Sequence, residues 1–179
     1  MKFSELIRTR RSCRVYQTKA IAEDDIKQIV KTVLLSPSSK NNRPWEFILV
    51  DDKELLLKLS QSKPHGSAFL KDASLGIVII ADPTKSDVWI EDTSIAGTVI
   101  QLVAEDMGLG SCWIQIRKRA HNDQIIASDY IKEILDIPDQ FEVASIIAIG
   151  YKLKERRPYS EEDVNFKKVH YNQYPIDTN

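Results

Sequence analysis

The chain has 179 residues and a formal net charge of −1, with 42% hydrophobic and 28% charged residues but only 6 glycines and 7 prolines. That length suits one domain with a core large enough to need no disulfide or metal staple, and the scarcity of Gly and Pro excludes fibrous and low-complexity chains. Near-balanced charge provides no global field for nucleic acid or anionic lipid, so any anion site must be local.

The opening MKFSELIRTRRS turns charged at once and has no apolar h-region, so no secretory leader is expected. Cys13 and Cys112 lie far apart and form no CxxC pair, which argues against a disulfide framework. The apolar runs Ile77–Ala81 and Ala144–Ile149 fall far short of the roughly 20 residues that span a bilayer. A cytoplasmic protein is the expectation.

In chain order, residues 3–9 suit a short helix with Ser4 near its start. Over Glu23–Leu35, Ile26, Ile29, Val30, Val33 and Leu34 make one stripe at helical spacing. Ser36-Pro37 stops that helix. The polar loop PSSKNNRP leads into a strand over Trp45–Val50, and Lys53–Ser62 reads as a helix. Leu75–Ala81 is an unbroken apolar run of strand length, as expected of a strand buried on both faces.

The longest helix is predicted over Trp89–Met107, with Ile95, Val99, Leu102, Val103 and Met107 on one face and small residues at Ala96, Gly97 and Thr98. Gly108 ends it. Ser111–Ile116 reads as a strand, Asn122–Leu135 as a helix and Glu142–Tyr151 as the last strand. The tail, residues 152–179, is polar and reads as an extended arm. Strands interleaved with helices make a layered domain, α+β or α/β.

Three segments could carry chemistry. Arg8, Arg10, Arg11 and Arg14 surround Ser12 at the end of the first helix, a set suited to charge-assisted bonds with a phosphate; taken alone, a solvated basic helix end fits equally well. Nucleic acid is a weaker reading, because no recognition motif accompanies it. Ser36–Trp45 brackets small hydroxyl and amide side chains with prolines, a stiff loop able to meet the polar edge of a heterocycle, although by itself an ordinary turn is the commoner outcome.

Gly108-Leu109-Gly110-Ser111-Cys112-Trp113-Ile114 contains a GxG but lacks the third glycine of a dinucleotide fingerprint. It also follows a helix and precedes a strand, which excludes a Rossmann site. His65, His121 and His170 show no metal-ligand spacing. Cys112 reads as a buried small residue, whereas Cys13 lies among cations that could lower its pKa.

Taken in order, Arg-Arg-Ser-x-Arg, then Pro-Ser-Ser-x-Asn-x-x-Pro-Trp-x-Phe, then Gly-Leu-Gly-Ser-Cys-Trp-Ile, then Ile-Gly-Tyr resemble the nitroreductase family of flavoproteins across roughly residues 3–160. The resemblance implies a single α+β domain, residues 1–179, with a central, mainly antiparallel sheet flanked by helices and a C-terminal arm. It also implies a homodimer whose subunits share each FMN.

On that likeness Arg10, Arg11 and Ser12 hold the FMN phosphate and ribityl end, and Arg14 faces the N1/C2 edge of the ring. Pro37, Ser38, Ser39 and Asn41 reach the flavin from the partner subunit. Gly110, Ser111, Cys112 and Ile114 lie beside the ring, and Lys154 with Arg156 or Arg157 closes around the phosphate. Arg43 departs from the glutamine frequent in the family, and the segment Lys63–Leu70, with His65, cannot be matched residue by residue. Between Ala81 and Trp89 there is no room for the long helical excursion of larger relatives, which implies a more open substrate pocket.

The implied activity is hydride transfer from NAD(P)H through flavin to a small acceptor such as a nitroaromatic or quinone, in a ping-pong cycle without a protein nucleophile. Alternatives are a specialised relative (dehydrogenase, dehalogenase or flavin-cleaving enzyme), a flavin-binding module without turnover, and a globular protein with no cofactor.

Overall fold

The computed structural model describes residues 2–174. Four strands form one sheet in the order β1-β2-β4-β3, where β1 is Trp45–Val50, β2 Leu75–Ala81, β3 Leu109–Gln115 and β4 Glu142–Tyr151. Every pairing is antiparallel, with Val78 opposite Ile146 across the central pair and Cys112 opposite Ala148 at the β3 edge. This is an α+β sheet. The central strands β2 and β4 are buried on both faces, which is why they read as continuous apolar runs.

Helices cover both faces. On one, Leu56 and Leu59 of α3 (Lys53–Ser60), Leu70, and Ala127 and Ile131 of α5 (Ala127–Leu135) pack on Val78, Ile114, Ile146 and Ala148. On the other, Ile29 and Val33 of α2 (Glu23–Val33) and Ala96, Ile100 and Ala104 of α4 (Trp89–Asp106) pack on Leu75, Ile77, Ile79, Leu109, Ile147 and Ile149. The short α1 (Phe3–Thr9) contributes Leu6 and also leans on α4.

The structure corrects the stripe expected of α4. Its sheet-facing side is the small one, with Ala96, Gly97, Ile100 and Ala104 buried, while Ile95 is 41% exposed and Val99 and Leu102 are half-buried. The physical reason is close approach: a Cβ on Gly97 would sit 2.3 Å from the Trp113 ring and 3.2 Å from Ile79. Small residues let the helix axis near the sheet; Ile95, Val99 and Leu102 are left toward the outside, while Val103 and Met107 of the expected stripe still pack against the core.

Several boundaries also move. The α5 helix starts at Ala127 rather than Asn122, because Asn122 Oδ1 accepts the N–H groups of Gln124 and Ile125 and holds that stretch in a turn. Strand β3 begins at Leu109, directly after Gly108 at φ +75°, since Leu109 already pairs with Tyr151. Helices α2 and α3 end at Val33 and Ser60, and residues 39–41 of the polar loop form a 3-10 turn. The arm contains two further 3-10 turns, Glu161–Asp163 and Phe166–Lys168; residues 175–179 lie outside the described residues.

Gly97→Ala should cost about 1–3 kcal/mol through overpacking against the Trp113 ring, read as a lowered urea midpoint, while Thr98→Ala on the exposed side should change it little.

Candidate functional site

The chain leaves α1 at Arg10 and crosses the ends of two strands. Cys13 N–H donates to the Ser111 carbonyl at 2.8 Å, Gln17 N–H donates to Tyr151 at 2.9 Å, and Leu153 N–H donates to Val15 at 3.2 Å. Ser12 forms a parallel bridge with Ser111, so this crossing also covers the free edge of β3. It needs two glycines. A Cβ on Gly110 would stand 2.7 Å from Cys13 Cβ and 2.8 Å from Lys152 Cγ, and one on Gly150 would meet the Tyr16 ring at 2.8 Å.

The crossing turns Cys13 and Tyr16 inward and leaves Arg14 outside. Tyr16 donates its hydroxyl to the Cys13 carbonyl at 2.7 Å. Burial pushes the Tyr16 phenol far above its ordinary range, and the neighbouring Cys13 and Cys112 add to the shift. Burial also raises the Cys112 thiol, against the opposing pull of Arg14, the Ser12 hydroxyl and Arg10. Cys13, expected among cations, is a buried thiol that donates to the Val15 carbonyl at 3.3 Å.

Beside the crossing lies a cleft of about 250 Å³ lined by Arg11, Ser12, Arg14, Lys152, Lys154 and Arg156, among others. Lys152 is held by Glu105 at 3.0 Å and Glu155 at 3.4 Å. Arg11 donates to the Arg157 carbonyl and stacks on the Tyr159 ring at 4.2 Å. Among the described residues, Arg11, Arg14, Lys154 and Arg156 form no ion pair with a carboxylate.

The structure therefore brings Arg11, Ser12, Arg14, Lys154 and Arg156 together. Arg10 is half-buried near Cys112 and does not line the cleft. The Arg157 guanidinium points elsewhere, to Ser160 Oγ at 3.0 Å and the Asp163 carboxylate at 3.1 Å, because the arm turns back on itself there. Gly110, Ser111 and Cys112 lie buried in β3 beneath the crossing, and the Ile114 side chain belongs to the core.

Pro37, Ser38, Ser39 and Asn41 do not line this cleft. Their loop sits at the start of α4, where Ser39 N–H donates to Asp92 Oδ1 at 2.8 Å. Lys40, Asn41 and Arg43 all adopt left-handed backbone, at φ 50°, 56° and 46°. Arg43 stays within the loop: its N–H donates to Ser38 Oγ and its Nε to Asn41 Oδ1, each at 2.9 Å.

Sequence reasoning missed Asp92, Glu105 and Lys63. The first two are buried acids within α4, and the amphipathic pattern gave no reason to single them out. Lys63 Nζ donates to the Gln115 carbonyl at 3.0 Å, and burial followed by nearby Arg119 lowers its pKa. His65 is exposed, His121 stacks on Tyr130 at 3.9 Å, and His170 lies 4.4 Å from the Tyr174 ring. Among the described residues no three His, Cys, Asp or Glu side chains are grouped to hold a metal, and no helix is long and apolar enough to cross a membrane.

These features define an α+β layered protein with a cleft lined by cationic side chains at one corner of an antiparallel sheet. The profile of the nitroreductase family matches residues 7–65 and 56–151. The chain is 37% identical over 163 residues to a candidate NADH dehydrogenase/NAD(P)H nitroreductase of Archaeoglobus fulgidus, spanning 89% of this chain and 90% of that protein. An FMN-dependent nitroreductase of Clostridium difficile superposes with a TM-score of 0.95 at 49% identity, covering 96% of this chain and 100% of that one. An FMN reductase (NAD(P)H) of Bacillus subtilis is 26% identical over 189 residues, 91% of this chain and 72% of that protein. The chain belongs to the nitroreductase family.

The buried phenol and thiol give a pH prediction. Both groups hold their protons more tightly when folded, so their stabilisation is complete below the ordinary values of 9.0 and 10.0 and is lost as pH rises beyond them. Urea midpoints should fall steadily above about pH 9, and Tyr16→Phe should flatten that fall above about pH 10.

Proposed function

We propose that this protein is an FMN-dependent oxidoreductase, reduced by NADH or NADPH, that passes the electrons to a small acceptor such as a nitroaromatic or quinone. The observation that carries this reading is the convergence of Arg11, Ser12, Arg14, Lys154 and Arg156 on one cleft, with four cations lacking a carboxylate partner among the described residues. Such a donor set fits a phosphate ester. The relatives named for FMN and NAD(P)H support the choice of cofactor and reductant.

When bound, FMN supplies two-electron chemistry between a nicotinamide and a second substrate, taken in turn in a ping-pong order. The chain's own residues bind, orient and tune. Arg11, Ser12, Lys154 and Arg156 anchor the phosphate. Arg14 is the cation available for the pyrimidine edge, where fixed positive charge favours the reduced ring. No protein nucleophile is required.

The cleft of about 250 Å³ falls below the roughly 300–1,000 Å³ of pockets that enclose a ligand of this size. A second copy of the chain would complete it, bringing Pro37, Ser38, Ser39 and Asn41. The outward apolar side of α4, with Ile95, Val99 and Leu102 near exposed Phe3, is a surface for such a copy, as are Phe166 and Tyr171 on the arm.

Purified protein incubated with FMN and freed of excess should show flavin absorbance bands that bleach on adding NADH or NADPH and return with a quinone. Colourless protein would overturn the reading, and flavin that stays oxidised with either nicotinamide would favour a binding module. Lys154→Ala with Arg156→Ala should weaken FMN about tenfold or more while scarcely affecting riboflavin. Co-expressing that double variant with Ser39→Trp should restore one flavin site per mixed dimer, because the intact cleft and intact loop lie on different chains. A mixed dimer without flavin would place the loop in its own chain's site.

A further inference from the structure

The Ser38–Asn41 turn is an awkward piece of backbone to maintain. Lys40, Asn41 and Arg43 are all left-handed, a conformation that strains a residue bearing a Cβ, least so asparagine. Contacts inside the loop, such as Arg43 N–H to Ser38 Oγ, do not tie it to the body of the protein. Asp92 does. This residue lies in the first turn of α4 and is only 2% exposed. Its Oδ1 accepts the Ser39 N–H and its Oδ2 accepts the Ser86 hydroxyl, both at 2.8 Å.

A buried carboxylate with no cation beside it is costly, and Asp92 forms no ion pair among the described residues. Two short hydrogen bonds and the positive end of α4 offset that cost. Both bonds run outward, one to the loop and one to the turn before the helix. The other buried acid of α4, Glu105, is 6% exposed and grips Lys152 at the cleft. The two acids lie about 20 Å apart along one rigid helix, one on the loop that bears Ser38 and Ser39, the other on the wall of the phosphate cleft.

We infer that Asp92 is a positioning residue of the flavin site: its carboxylate holds the Ser38–Asn41 turn in the strained shape that meets the cofactor. The inference rests on the FMN reading for its consequence, but not for its geometry. A side-chain oxygen facing Ser39 is what matters, so asparagine can substitute: its carbonyl accepts from Ser39 N–H and its amide donates to Ser86 Oγ. Alanine and leucine cannot.

The test combines amide hydrogen exchange at Ser39 in the flavin-free protein with FMN affinity from fluorescence quenching. Asp92→Ala should speed Ser39 exchange and weaken FMN about ten- to hundredfold. Asp92→Asn should stay within about threefold of the parent on both readouts, and Ser86→Ala, which keeps the Ser39 contact, should do the same. If the alanine variant fails to fold, Asp92→Leu keeps the volume without the acceptor and takes its place.

Unchanged FMN affinity in a folded Asp92→Ala or Asp92→Leu protein would overturn the inference, as would equal losses in the asparagine and alanine variants. A parent protein that binds no FMN at all would instead overturn the functional reading, and Ser39 exchange would still decide whether Asp92 holds the loop.

Discussion

Everything at the site depends on how residues 12–17 cross the ends of β3 and β4. The backbone bonds Cys13 to Ser111 and Gln17 to Tyr151 pin the crossing at both ends, and Gly110 and Gly150 leave the space beneath it. Once the segment is pinned, the directions of its side chains follow. Cys13 and Tyr16 pack inward and lock it down, so Arg14 must project outward. The same crossing brings Lys152 and Lys154, just past β4, alongside Ser12. A cluster of charges that could have been a loose basic tail is gathered around one cleft, with Lys152 held by Glu105 and Arg11 by the Arg157 carbonyl.

Helix α4 is the second organising element, and its packing runs against ordinary amphipathic intuition. Burying Ala96, Gly97 and Ala104 forgoes apolar area, yet it lets the helix lie close enough for Trp113 and Ile79 to fill the space over Gly97. Dispersion over a tight interface replaces some of what large side chains would contribute. The outward apolar residues then become a surface available to another chain, and the buried acids Asp92 and Glu105 tie the helix to the polar loop and the cleft.

Much of this was legible in the residues. Strands β1, β2 and β4 match their predicted bounds residue for residue: β2 and β4 because burial on both faces makes them unbroken apolar runs, and β1, with Glu46 exposed, because Pro44 and Asp51 flank it. The motifs around Arg11, Pro37 and Gly110, taken in order, pointed to the family and its α+β sheet. Less legible were the start of α5, where one Asn122 side chain diverts the backbone, and the facing of α4, where periodicity marks an apolar side but cannot say which side the sheet will choose. At the site, the arginine-rich segment and the tail were readable as a set, but Arg157 could not be told from Arg156; Asp163 in the folded arm makes that distinction.

By itself the sequence determined the layered class, the central strands and the inventory of cationic and hydroxyl side chains, because these follow from local pattern and residue chemistry. Only the tertiary structure decided which guanidinium groups lack a carboxylate partner among the described residues, that Cys13 is buried like Cys112, and which acids reach across to a loop. Those outcomes turn on approaches of a few tenths of an ångström between segments far apart in the chain, such as Gly110 under Cys13 and Asp92 beside Ser39, and local sequence carries no record of such distances.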